Sequence, residues 1–248
     1  MTKSTKNDGK WYLTKVKRAC AAFAMLADGD VISVGVSGGK DSSALLYIMR
    51  QLQQHLPVSF DVRPVYVDLG IGMNLAPIEA FCGELGYELS VVQTQIREVV
   101  FEVRKEKNPC SLCAKMRKGA LVTRSKELGC NKMALGHHLD DAVETFFLNL
   151  LYTGKLGSFS PNIYLDRMDI HQIRPLVYLR ESTIASLVRH RELPVVKNRC
   201  EMDGLTKREE IKDLMKTMET LHPDFMDKCL NALQNVDWNG IWASPESE

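Results

Sequence analysis

The stretch Val31-Ile-Ser-Val-Gly-Val-Ser-Gly-Gly-Lys-Asp-Ser42 decides the reading of this chain. Val31 to Val36 is a β-branched run that reads as a buried strand, and helical spacing takes over from Asp41 to His55. Between them, Ser37-Gly38-Gly39-Lys40 leaves bare backbone amides at the start of a helix. There both the unpaired N–H groups and the helix dipole favour an anion. Working outward, Trp11 to Ala27 reads as an amphipathic helix stopped by Asp28-Gly29. Phe60 to Val67, Tyr87 to Val92 and Lys132 to Leu135 read as further strands. Leu75 to Leu85, Gln95 to Lys107, Ser111 to Leu128 and Leu139 to Tyr152 read as helices, with Pro109 interrupting between the second and third. Alternation of this kind predicts an α/β fold with a doubly wound parallel sheet covered on both faces. Residues 155–175 read as a loop with two short strands, 180–191 as a helix, and 204–235 as two helices around His222-Pro223. The expected organisation is a flexible tail over 1–9, the sheet domain over 10–176, and a helical C-terminal extension over 177–248.

The loop is not the nucleoside-triphosphate loop. Five positions before Gly39 stands Val34, and Asp41 follows the lysine where a metal-binding hydroxyl is required. A dinucleotide fingerprint is excluded as well, since the third glycine three residues on is missing. Ser37-Gly38-Gly39-Lys40-Asp41-Ser42 instead resembles the pyrophosphatase-type loop of enzymes that split ATP between the α- and β-phosphates to adenylate a substrate. The alternative is a tight strand–helix turn that binds nothing.

Length and composition bound the function. With 45% hydrophobic and 25% charged residues, 248 residues suffice for one large buried core and rule out wholesale disorder. The longest apolar run, Ala19 to Ala27, is about half a bilayer span, and no secretory signal is read at the start. Seven cysteines, an odd number, fit reduced thiols, so a cytoplasmic protein with no membrane partner is expected. The net charge of +1 hides two basic stretches. Arg104 to Lys126 holds eight basic residues against Glu106, and Arg189 to Arg199 holds four against Glu192. Each is a candidate footprint for a phosphate backbone or, equally, a solvated helix face.

Cys110-Ser-Leu-Cys113 opens a helix inside the first basic stretch. Two thiolates at this spacing hold one metal centre or form a redox disulfide. Four ligands would mean structural zinc and three cysteines with an open position an iron–sulfur cluster, and spacing leaves both open. Cys20, Cys82, Cys130 and Cys229 read as core or surface thiols. Further on, Gly136-His137-His138-Leu139-Asp140-Asp141 lies at the carboxyl end of the fourth strand, the edge where an open sheet binds ligands. Asp140 and Asp141 suit Mg²⁺ binding or proton handling, while helix capping is the plainer reading for one of them.

Taken together, Pro109-Cys-Ser-Leu-Cys-Ala-Lys-Met-Arg-Lys-Gly-Ala-Leu121, Ala134-Leu-Gly-His-His-Leu-Asp-Asp-Ala-Val-Glu-Thr145 and Ile173-Arg-Pro-Leu176 resemble the tRNA 2-thiocytidine synthetase family. That family belongs to the PP-loop ATP pyrophosphatases, whose fold is adenine nucleotide alpha hydrolase-like. The resemblance covers most of residues 11–235. It implies a [4Fe–4S] cluster on Cys110, Cys113 and Cys200. Around the third cysteine the chain reads Cys200-Glu-Met-Asp-Gly-Leu-Thr-Lys-Arg208, which is similar to a shorter branch of the family.

The resemblance further implies ATP and Mg²⁺ as cofactors, with Val36, Ser37, Gly38, Gly39, Lys40, Asp41, Ser42, Asp68, Gly136 and His137 on the nucleotide. It implies catalytic roles for Lys40, Asp140 and Asp141. The implied partners are tRNA and a cysteine desulfurase or other sulfide donor, and a homodimer is the candidate oligomer. Two rivals remain at this stage: a zinc-containing enzyme of the same superfamily using an amine nucleophile, and an ATP-sensing protein that turns nothing over.

Overall fold

The computed structural model describes residues 9–105, 109–196 and 207–242. Its six-stranded sheet has the order β3-β2-β1-β4-β6-β5. The strands are β1 (Asp30–Gly35), β2 (Phe60–Asp68), β3 (Ser90–Gln93), β4 (Lys132–Ala134), β5 (Asn162–Leu165) and β6 (Ile170–Ile173). The helices are α1 (Lys10–Ala22), α2 (Lys40–His55), α3 (Ala76–Glu84), α4 (Pro109–Glu127), α5 (Leu139–Thr153), α6 (Glu181–His190), α7 (Lys207–Leu221) and α8 (Phe225–Gln234). Five strands run parallel, as the alternating pattern predicts. β5 departs from it, pairing antiparallel with β6. Only four residues join the two strands, too few for a crossover, and Asp169 turns the chain back at φ +47°.

The strand order reverses direction at β1. α2 and α3 carry the chain one way, to β2 and β3, whereas α4 carries it back across to β4. Right-handed crossovers therefore put α4 on the opposite face from α2 and α3. Under α4 the core is built from Val65, Val67, Leu121, Val122, Met133 and Ile170. At the amino edge, Lys132 and Asp30 form a buried 2.7 Å ion pair, and the Lys132 ammonium also donates to the Met25 carbonyl. This tie pins β4 beside β1 at the end away from the loop.

Three elements differ from the periodicity. The first helix, expected to run to Ala27, ends at Ala22, and Ala24 takes a left-handed φ of +46°. The helix expected over 95–107 is a π-helical turn, Glu98–Val103, closed by the Arg104 amide on the Val99 carbonyl. Three valines and Phe101 crowd that turn, and its wider spacing buries Val100 completely while Val103 stays exposed. α4 begins at Pro109 itself, since a proline in the first turn removes only a donor that would be unsatisfied anyway.

The chain divides into two compact units: residues 1–138 with 160–205, and 139–159 with 206–248. The sequence-based boundary at residue 176 falls between β6 and α6, inside the first unit. α5, α7 and α8 form the second unit around Leu139, Val143, Ile211, Met215, Phe225 and Met226. Among the described residues no helix is long and apolar enough to cross a membrane.

Candidate active site

β1 and β4 are neighbours where the strand order reverses, and the carboxyl edge at such a point is where open sheets bind ligands. The loop after β1 fills this position. Val36 is buried, and its amide still pairs with Val65. Beyond it four hydrogen bonds lace the loop. The Gly39 amide donates to Ser37 Oγ, Ser37 Oγ pairs with Ser42 Oγ at 3.2 Å, Ser42 Oγ donates to the Gly39 carbonyl at 2.9 Å, and the Ser37 amide donates to Ser42 Oγ. Ser42 is buried, so this hydroxyl shapes the loop from beneath. Gly38 adopts φ +85°, and a β-carbon there would press on Ile78 and Met73 at 3.3 Å. The Gly38 carbonyl also accepts from the Val196 amide.

Lys40 opens α2 with its ammonium 3.0 Å from Asp41 and 2.8 Å from Glu181. Burial alone would lower its pKa. The hydrogen bonds and charges of Glu181 and Asp41 outweigh that and hold it above the usual lysine value. Asp41 faces His138 as well, at 3.8 Å. From the β4 side, Gly136 packs directly on the main chain of Asp41. His137 accepts from the Arg174 guanidinium at 3.2 Å, and Arg174 also donates to the Ser160 carbonyl. Burial pushes Arg174 down to about 10. Burial, and then the charge of Arg174, lower Lys118 too. Lys118 thus lies within reach of the charge of Arg174, which itself bonds His137.

Of the residues singled out in the sequence, Val36 to Ser42, Gly136 and His137 come together in the first unit. Asp68 ends β2, where its carboxylate accepts from the Gly70 amide and its carbonyl from Thr94 Oγ1. Asp140 and Asp141 open α5 in the second unit. There Asp140 is buried, and Asp141 faces Arg208 of α7 at 3.8 Å. Arg208 makes its closer pair, 3.2 Å, with Glu144, which is 2% exposed. Sequence reasoning assigned no role to Glu181, Arg174, Glu144 or Arg208. The last three lie inside stretches already quoted, but Glu181 carries no local signal at all.

Cys110 and Cys113 stand one helical turn apart in the first turns of α4, Cys110 exposed and Cys113 half-buried. Paired soft thiolates on one helix face suit iron or zinc. Among the described residues no group of three or more metal-ligating side chains forms, and Cys200 lies outside those residues. The remaining thiols are chemically quiet. Burial pushes Cys20 up to about 12, Cys82 and Cys130 up to about 11, and raises Cys229.

Residues 12–218 match the PP-loop domain family. A protein of Geobacter sulfurreducens named tRNA-cytidine(32) 2-sulfurtransferase is 38% identical over 225 residues, spanning 89% of this chain and 88% of its own length. The chain is a PP-loop protein of the tRNA-cytidine(32) 2-sulfurtransferase family. A Ralstonia pickettii member with the same name is 38% identical over 228 residues, covering 90% of this chain and 72% of that protein. Among solved structures, the U34-tRNA thiolase NcsA from Methanococcus maripaludis, with its [4Fe-4S] cluster, superposes with a TM-score of 0.70 at 25% identity. That match covers 90% of this chain and 78% of the thiolase. The laced loop of this PP-loop protein is therefore an ATP-binding element of known family type.

Proposed function

We propose that this chain uses ATP to adenylate the C2 oxygen of a cytidine in tRNA and replaces that oxygen with sulfur. One observation carries the reading. A hydroxyl-laced glycine loop, with its lysine and a helix N-terminus, sits at the reversal point of the sheet in a chain whose relatives bear that sulfurtransferase name.

The loop from Ser37 to Ser42 and the α2 dipole hold the pyrophosphate portion of ATP. Lys40 exchanges its carboxylate partners for phosphate oxygens and offsets charge as pyrophosphate leaves. Asp68, Gly136 and His137 border the nucleotide. Asp140 and Asp141 supply carboxylates for Mg²⁺ or take a proton. The cytidine O2 attacks the α-phosphate, so that AMP becomes the leaving group when sulfide adds at C2. Cys110, Cys113 and Cys200 would hold a [4Fe–4S] cluster, which would supply a place for sulfide to bind. Sulfide comes from a cysteine desulfurase or another donor. Basic side chains on α4 and α6 hold the RNA backbone without reading its sequence.

The test is anaerobic purification followed by an absorption spectrum, iron and sulfide counts, and incubation with ATP, sulfide and unmodified tRNA. About four irons per chain, tRNA-dependent AMP release and 2-thiocytidine in the digested RNA are the expected results. Cys110→Ala, Cys113→Ala and Cys200→Ala each lose the chromophore and the thionucleoside. Cys20→Ala, Cys82→Ala, Cys130→Ala and Cys229→Ala keep both. Zinc in place of iron, with AMP but no thionucleoside, would overturn the sulfur step, and nucleotide binding without AMP would overturn catalysis altogether.

A further inference from the structure

In the first unit, a groove of about 750 Å³ is lined by Trp11, Ser182, Thr183, Ser186, Arg189 and His190. The groove is shallow and open to solvent. Among the described residues one large aromatic, three hydroxyls, a guanidinium and an imidazole line it, none of them a carboxylate. Trp11 is 46% exposed and stands edge-on to the buried Tyr12, ring centroids 5.0 Å apart, so a face of the indole is open to solvent. On α6, Ser182, Ser186 and Arg189 recur at helical spacing on one stripe, while Ile184 and Leu187 are buried on another. α1 carries Lys10, Lys15, Lys17 and Arg18 and no acid. Lys17 is spent on the His55 carbonyl and Arg18 on the Tyr178 ring. Lys10 and Lys15 are exposed, and Lys15 lies one helical turn from Trp11. With no acid among its described lining residues, the groove offers a basic peptide nothing to pair with. An exposed indole flanked by cations and hydroxyls suits a nucleic acid strand, since every base offers a face to stack while its phosphates seek positive charge.

We propose that this groove receives unpaired bases of the tRNA substrate, one of them stacked on Trp11, with Arg189, His190 and Lys15 on the neighbouring phosphates. The inference rests on the tRNA reading above and adds to it a stacking site outside the ATP loop. α6 also begins at Glu181, the partner of Lys40, so the RNA would lie along the helix that holds the loop lysine.

Replacing Trp238 and Trp242 by Phe leaves Trp11 as the sole tryptophan in an otherwise full chain. Its emission, titrated with tRNA, with a stem-loop RNA and with a fully paired duplex, reports stacking directly. Quenching by the first two and not by the duplex is expected. Trp11→Ala should weaken tRNA binding about tenfold and Trp11→Phe should restore part of it, with ATP binding unchanged in both. Arg189→Gln should flatten the salt dependence by about one charge. Unchanged emission, or equal tRNA affinity in Trp11→Ala, would overturn the groove while leaving the tRNA reading intact. A wild-type chain that binds no tRNA would overturn both.

Discussion

A β-carbon at Gly136 would lie 3.1 Å from both the carbonyl carbon and the oxygen of Asp41, main-chain atoms in the first turn of α2. Neither can swing aside as a side chain would. Gly136→Ala should therefore push the β4 loop off the phosphate loop, costing about 1–3 kcal/mol in urea unfolding and lowering AMP release at least tenfold. Gly129 is the control. It has open space around it at φ +71°, so Gly129→Ala should cost about 1 kcal/mol by backbone strain alone and leave turnover unchanged. The sequence singles out Gly136 at the sheet edge and gives Gly129 no role, yet it does not show how closely Gly136 approaches another backbone. Gly38 and Gly39 were legible because the six residues around them are contiguous and stand between a strand and a helix. The demand on Gly136 comes from a segment nearly a hundred residues away, which no local pattern reports.

In the second unit the apolar stripes of α5, α7 and α8 were legible as helical periodicity, but the ion pair among them was not. Glu144 is nearly inaccessible, and Arg208 reaches it from the first turn of α7 while also facing Asp141 and Thr145. A buried carboxylate that loses its cation keeps its desolvation cost with less opposite charge to offset it. Arg208→Ala should lower the stability of this unit by about 2 kcal/mol, a figure kept modest because Arg208 itself is 41% exposed. Cys229 gives a local readout, since it packs half-buried against this core and burial raises its thiol pKa. Its labelling by a thiol reagent should accelerate in Arg208→Ala. The double change Glu144→Leu with Arg208→Leu should slow it again. Equal labelling rates in the wild type and Arg208→Ala would show that the pair contributes nothing to holding the helices.

Across the whole molecule the charge is almost balanced, and the fold decides which basic residues are left for a polyanion. The stretch Arg104 to Lys126 does not act as one surface. Arg124 is tied to Glu127 at 2.9 Å and Lys126 to Asp169 at 2.8 Å, whereas Lys115, Arg117 and Lys118 lie in the half of α4 nearer the cysteines. Reversing Lys115 and Lys118 together to Glu should reduce the slope of tRNA affinity against salt by about two and weaken every tRNA alike. Changing Arg124 and Lys126 to Gln should leave that slope nearly unmoved. Filter binding over a salt series measures both, and equal effects from the two pairs would refute the division. Of the second stretch, Arg189 lines the groove and Arg191 lies over the Tyr47 ring, while Lys197 and Arg199 fall outside the described residues. The sequence by itself determined the strand–helix alternation, the phosphate loop and the pairing of Cys110 with Cys113, because each is written in neighbouring residues at a local period. Only the tertiary structure decided the antiparallel edge of β5, the contacts of Lys40 with Glu181 and of Arg174 with His137, and which lysines are already neutralised. Those depend on the order in which strands join a sheet, and hydrophobic periodicity carries the face a residue points to but not the neighbour it meets there.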